Sequence, residues 1–238
     1  MNIIGNISIY YINLNRSTDR NTMLLNTFKE YGITNYKRVE AFDGTLENFK
    51  DKYTTEISNK EIACSLSHWK AIEIAYNDNC DYAIIMEDDC NFEYLKYKKI
   101  PIIDMFKKID DCEILQLQLT INSLIKCQDL RFKEDVYYKG HKEGAVAYII
   151  NRIGMEKIIS KYKITLNINV SDRMLYDSVN TYFCLPYFTY YFSNKVKTTI
   201  HCTLSIYENR CKKFVDEIML KNSLAKKKYQ LLIRLKNR

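Results

Sequence analysis

Glycine and proline are scarce in this 238-residue chain, at 6 and 2 residues. Their scarcity excludes a collagen-like repeat and a long flexible linker, and it argues against disorder. The eight cysteines, at 64, 80, 90, 112, 127, 184, 202 and 211, form no CxxC pair. The N-terminus has no basic region, apolar core and small-residue cleavage site in series, so the expected state is reduced thiols in a cytoplasmic protein. No apolar run approaches the ~20 residues that span a bilayer. Internal repeats and low-complexity tracts are also missing.

Most of the chain lacks net charge as well. The formal +7 comes from residues 210–238, where ten Lys and Arg face two acids, while the remainder balances 26 bases against 27 acids. A neutral body offers no electrostatic footprint for a nucleic-acid backbone, so no nucleic-acid partner is expected. With 47% hydrophobic residues the chain can bury one substantial core. The expected organisation is one domain over residues 1–209 and a basic amphipathic helical tail over 210–238. That tail, with Phe214, Ile218, Leu224, Leu231 and Leu235 among its lysines, either packs on the domain or lies peripherally on an anionic membrane or a partner.

What is present is a series of short apolar strands alternating with helices, which implies a mainly parallel α/β sheet flanked by helices. Ile7 to Leu14 reads as a strand, and Ser17 or Thr18 caps a helix carrying Met23, Leu24, Thr27 and Phe28 that stops at Gly32. A second strand runs from Tyr36 to Phe42 and ends in the turn pair Asp43-Gly44. Asn59 is placed to cap a helix whose core stripe is Ile62, Leu66, Trp69, Ile72 and Tyr76, with Cys64, His68, Ala71 and Ala75 on an adjoining small-residue face. His68 there is either a hydrogen-bonded core histidine or a pocket residue. Further strands are expected from Glu113 to Thr120 and from Gly144 to Ile150, around a polar excursion over 121–142. Asn151 and then Ser171-Asp172-Arg173 open two more helices before an aromatic strand region from Tyr182 to Phe192.

Three consecutive acids, Glu87-Asp88-Asp89, follow the apolar strand Tyr82 to Met86. Crowded carboxylates repel one another, and a divalent cation is the usual reason to keep them together; the alternative is an acidic turn on a solvated strand end. Oxygen ligands suit Mg²⁺ or Mn²⁺. In open α/β sheets ligands gather at the carboxyl ends of strands, so this ion would serve a diphosphate. Arg16 and Arg20 stand where the first strand meets its helix, a place suited to a diphosphate or ribose, although each reads equally as a surface residue.

Taken in order, Ile12-Asn13-Leu14-Asn15-Arg16-Ser17-Thr18-Asp19-Arg20, Val39 to Gly44, Glu61 to His68, Ile84 to Asp89 and Gly144 to Ile149 resemble glycosyltransferase family 25. That family holds the bacterial lipooligosaccharide galactosyltransferases and their procollagen relatives. The resemblance spans roughly residues 7–190. It implies a GT-A (Rossmann-like) fold, a UDP-sugar donor, usually UDP-galactose, Mn²⁺ as cofactor, and inversion at the anomeric carbon. The acid triplet resembles the family's glutamate version of the DxD motif. Asp89 then binds the metal, Glu87 ligates beside it or faces the ribose or sugar, and Asp88 assists either one. Asn13 is a candidate for the uracil or ribose, Asp43 for a nucleotide contact, and Ser67 and His68 for the pocket wall. Inversion needs a base for the acceptor hydroxyl. Asp172 is the first candidate and Glu143 the second, although Asp172 also reads as a first-turn helix acid. His201 is a candidate third protein ligand to the metal, by analogy with late histidines in GT-A enzymes. The expected reaction moves a hexose, galactose first, to a hydroxyl of a glycan or of hydroxylysine in a collagen-like protein. The alternative is a catalytically silent relative that binds a glycan or a partner.

Overall fold

The computed structural model describes residues 3–92, 95–118, 136–141, 144–162, 167–184 and 187–190. Glu143, His201, most of the 121–142 excursion and the whole 210–238 tail, with the boundary expected before it, lie outside the described residues.

The first strand, β1 (Ser8–Asn13), buries every residue after its first, as a strand covered on both faces must. The chain then forms α1 (Thr18–Glu30), β2 (Tyr36–Glu40), α2 (Asn59–Asn77), β3 (Tyr82–Glu87), β4 (Cys90–Asn91), α3 (Ile102–Lys107), β5 (Ile114–Gln116), β6 (Tyr137–Lys139), β7 (Ala147–Asn151), α4 (Arg152–Tyr162), α5 (Ser171–Tyr176), β8 (Thr181–Cys184) and β9 (Thr189–Tyr190). Seven strands make one sheet in the order β2-β1-β3-β7-β5-β8-β6, and β4 pairs with β9 apart from it. The expected α/β sheet flanked by helices is therefore the observed one, and it is mixed. Ladders β1·β2, β1·β3 and β5·β8 are parallel, whereas β3·β7, β5·β7 and β6·β8 are antiparallel.

The period of two along each strand divides the core into two layers. Ile9, Tyr11, Ile84 and Met86 point to one face, where α1 covers them with Leu24 and Phe28. Tyr10, Ile12, Ala83 and Ile85 point to the other, under Ala71, Ile72 and Ala75 of α2 and Met155 and Ile158 of α4. α1 ends as its sequence predicts, at Gly32 with φ of 65°, a conformation glycine adopts without a Cβ penalty.

Several expectations are corrected. Ser58, not Asn59, caps α2: the Glu61 amide donates to Ser58 Oγ at 3.3 Å, and the Ser58 amide donates to Glu61 Oε2 at 2.7 Å. This reciprocal box uses residues three apart, as its geometry demands. Asn59 turns outward to the preceding loop, donating to Gly44 O at 2.6 Å and accepting from the Phe49 amide at 2.7 Å. The stripe on α2 is also rotated. His68, Ala71 and Ala75 are fully buried beside Ile62 and Ile72, while Leu66, Trp69 and Tyr76 are half-buried at the flanks. Small side chains let the helix approach the sheet closely, so they take the deepest positions. On α1, Met23 is 47% exposed and Arg20 takes a buried position instead. A strand, β6, occurs inside the 121–142 stretch and pairs with β8. The β2 ladder stops at Glu40, and the strand expected over 113–120 is only Ile114–Gln116. Among the described residues, no helix is long and apolar enough to cross a membrane.

Candidate active site

β1 feeds α1 and β2 on one side, while β3 lies on its other side, so a crevice opens between the carboxyl ends of β1 and β3. This is the switch point at which open α/β sheets gather ligands. Ile12 is in register with Glu87, which places Asn13 and the acid triplet at the same end of the sheet. The cleft there has about 580 Å³ of empty space and is open to solvent. Arg16, Asp43, Ser67, His68, Glu87 and Asp88 all line it.

Four of the predicted residues meet in one buried cluster. Asn13 Nδ2 donates to Asp88 Oδ2 at 2.5 Å, and Arg38 Nε donates to Asn13 Oδ1 at 2.9 Å, which orients the amide. Arg20 Nη2 forms ion pairs with Asp88 and, at 2.7 Å, with Asp89 Oδ2. Arg20 and Asp88 side chains are each only 7% exposed. Arg20 is therefore not an ordinary surface residue: it braces the acids while lining the cleft.

One guanidinium does not neutralise this cluster. Burial pushes the Asp88 carboxyl up to about 6, against the opposing charge of Arg20 and the Asn13 hydrogen bond. Burial and then the Glu87 charge push Asp89 up to about 7, with Arg20 opposing. Burial also raises Glu87, but the His68 hydrogen bond and charge outweigh it and hold this carboxyl below its usual range. The Asp89 Oδ1 atom is buried without a hydrogen-bond partner. An orphaned carboxylate oxygen in an under-neutralised, all-oxygen cluster fits a hard divalent cation.

Arg16 and Asp43 pair with each other at the cleft mouth, through Nε at 2.5 Å and Nη2 at 3.2 Å. Burial raises the Asp43 carboxyl, but hydrogen bonds from Thr45 and Arg16 together leave it below the usual range. Gly44 is held by close approach, since a Cβ there would lie 2.6 Å from Asn59 O and 2.7 Å from Lys60 Cα, both backbone atoms. Gly44→Ala should therefore cost about 1–3 kcal/mol, the usual range for overpacking, and displace Asp43 and Thr45 from the cleft wall. Equilibrium urea unfolding checks it, and a change below a few tenths of a kcal/mol would contradict the close approach.

Ser67 is committed to structure: its hydroxyl donates to Ala63 O at 2.6 Å and accepts from the Phe42 amide at 2.9 Å. Asp172 stands apart from the cleft lining. It opens α5, where Oδ2 accepts from the Gly144 amide at 3.4 Å. His68, fully buried, places Nε2 3.3 Å from Glu87 Oε1 and Nδ1 3.3 Å from Tyr148 Oη. Sequence reasoning left out three residues here: Cys64, Tyr148 and Arg38. The four-residue spacing of Cys64 and His68 was a visible signal for the first; nothing in the sequence pointed to the other two.

The sequence profile of glycosyltransferase family 25, described as an LPS biosynthesis protein family, matches residues 6–175. The chain belongs to glycosyltransferase family 25. It is 29% identical over 160 residues to a protein of Acanthamoeba polyphaga mimivirus named as a glycosyltransferase, a match covering 63% of this chain and 46% of that one. It is also 24% identical over 177 residues to a glycosyltransferase 25 family member of Aedes aegypti, covering 66% of this chain and 28% of the relative. Each match thus takes in less than half of the relative's length. The family match runs from just before β1 through all but the last residue of α5, and so includes the acid triplet and Asp172 but not His201.

Proposed function

We propose that the chain is a metal-dependent, inverting glycosyltransferase of GT-A type that takes a hexose, galactose first, from a UDP-sugar and places it on a hydroxyl of a glycan. The observation that carries this reading is the acid triplet at the end of β3, with Glu87 and Asp88 lining the switch-point cleft and the buried Asp89 Oδ1 atom without a hydrogen-bond partner. Asp89, with Asp88 beside it, would hold Mn²⁺ or Mg²⁺, while Glu87, which meets His68, faces the donor. Bound there, the ion supplies Lewis-acid neutralisation of the charge on the departing nucleoside diphosphate. Arg20 and Asn13 keep Asp88 in place, and Arg20 also grips Asp89 through Oδ2, so Oδ1 stays available. Arg16, 47% exposed at the cleft mouth, exchanges its Asp43 partner for donor phosphate. The base that accepts the acceptor hydroxyl's proton is Asp172 or Glu143.

The description of the family as LPS biosynthesis proteins favours a saccharide acceptor over hydroxylysine of a collagen-like protein. The reading keeps the protein cytoplasmic, with the basic 210–238 segment a peripheral membrane contact for lipid-linked acceptors. The test is thermal unfolding with a panel of UDP- and GDP-sugars, each with Mn²⁺ and with chelator. A donor at 100 times its dissociation constant stabilises the folded state by about 2.7 kcal/mol. A metal-dependent rise in Tm with one UDP-sugar is the expected result and identifies the donor. No rise with any of them would favour the catalytically silent, glycan- or partner-binding reading.

A further inference from the structure

The acid triplet leaves one part of the cleft unexplained. Glu87 turns away from Asp88 and Asp89 towards α2, where it meets His68 and Cys64. Cys64 and His68 are four residues apart on one helix, so both project to the same side. The thiol sulfur, a His68 ring nitrogen and a Glu87 carboxylate oxygen all lie within 4.8 Å of one another, and all three residues line the open cleft.

We propose that Cys64, His68 and Glu87 form a second cation site in the cleft, one that takes Zn²⁺ with an open fourth position. Sulfur, imidazole and carboxylate are the donor set of a borderline-soft ion and not of Mg²⁺ or Mn²⁺. The 3.3 Å between His68 Nε2 and Glu87 Oε1 matches the edge of a tetrahedron with Zn–N and Zn–O bonds near 2.0–2.1 Å, about 3.4 Å. The support around the site is built in the manner of metal-bound histidines. His68 Nδ1 lies 3.3 Å from Tyr148 Oη, and the two rings stack at 29° with centroids 5.9 Å apart. With a proton on Nδ1 donated to that hydroxyl, Nε2 would give up its hydrogen bond to Glu87 and become the ligating atom when the ion binds.

Cys64 is held from the far side by Ser171 Oγ at 3.7 Å, at the start of α5. The local potential is negative: after burial itself, the charges of Glu87, Asp89 and Asp172 push the Cys64 thiol up. A field that opposes a bare thiolate attracts a divalent cation. On binding, the Cys64 S–H bond breaks, its proton leaves to solvent, and the sulfur's electron pair goes to zinc, with no change of oxidation state. The consequence for catalysis rests on the proposed transferase reading: Zn²⁺ held here withdraws Glu87 from the donor and so inhibits metal-dependent donor binding.

The test titrates the full chain, freed of metal and without added thiols, with Co²⁺, which reports a thiolate ligand by a sulfur-to-cobalt charge-transfer band. One equivalent should develop the band, and Zn²⁺ should displace it. Cys64→Ala should abolish it, and Glu87→Gln should raise the Co²⁺ dissociation constant about tenfold or more. Asp89→Asn should leave it in place, which separates this site from the acid triplet. No band in the native protein, a band that survives Cys64→Ala, or one lost in Asp89→Asn would overturn the assignment. The band is read without any sugar nucleotide, so a failure of the UDP-sugar panel leaves this result standing, and the reverse holds too.

Discussion

Asp89→Ala loses metal-dependent binding of the UDP-sugar and leaves the unliganded fold at least as stable. The two halves of this expectation have separate causes. Asp89 is buried beside two other acids, one of its oxygens has no partner, and burial with the Glu87 charge pushes its carboxyl up to about 7. Removing such a group relieves like-charge repulsion, and Arg20 keeps its pair with Asp88. Outer-shell partners of a metal already cost 10- to 100-fold in affinity, so loss of a direct ligand should weaken Mn²⁺-dependent donor binding by about 100-fold or more. Calorimetric titration of the donor, with and without Mn²⁺, together with thermal unfolding in chelator, reads both. Unchanged donor affinity in Mn²⁺ would sink the metal assignment.

Arg20→Ala is expected to have the opposite signature, a large loss of stability. Its guanidinium is 7% exposed and touches both Asp88 and Asp89. Breaking a buried ion pair by removing one partner typically costs about 3–5 kcal/mol, because the other charge is left buried and uncompensated. Urea unfolding should show a midpoint shift of that size with an unchanged slope. The triple variant Arg20→Met with Asp88→Asn and Asp89→Asn should recover most of the loss, since no charge is then stranded. A cost for Arg20→Ala below about 1 kcal/mol would mean that the acids are already solvated, and the bracing role would fall. Together the two variants separate a residue that holds the site from one that the site exists to present.

The acid triplet was legible because its chemistry is local. Three adjacent carboxylates after an apolar strand either stay solvated as an acidic turn or need a charge partner, and Asp88 and Asp89 find a cation in Arg20. The burial of Arg20 was not legible, since a guanidinium two positions after the first helical residue of α1 gives no sign in sequence of pointing inward. Its burial follows from β3 lying beside β1, which is a pairing between residues 75 positions apart, such as Ile12 and Glu87. Ser67 does line the cleft, as its neighbours suggested, but its role there as a clamp was not legible, because its hydroxyl meets the Phe42 amide across the fold. The α2 stripe was misassigned for a related reason. Helical spacing identifies faces, but which face lies deepest depends on how near the sheet comes, and small residues permit the nearest approach.

By itself the sequence determined the alternation of strands and helices, the end of α1 at Gly32, the acid triplet at a strand end, and the family, because each depends on residues close together in the chain. Only the tertiary structure decided the mixed strand order, the partnership of Asn13 and Arg20 with the acids, the pairing of Arg16 with Asp43, and the meeting of Cys64, His68 and Glu87. Side-chain spacing along a chain carries no information on which strands become neighbours. That is decided by the burial of both sheet faces at once, under α1 on one side and α2 and α4 on the other.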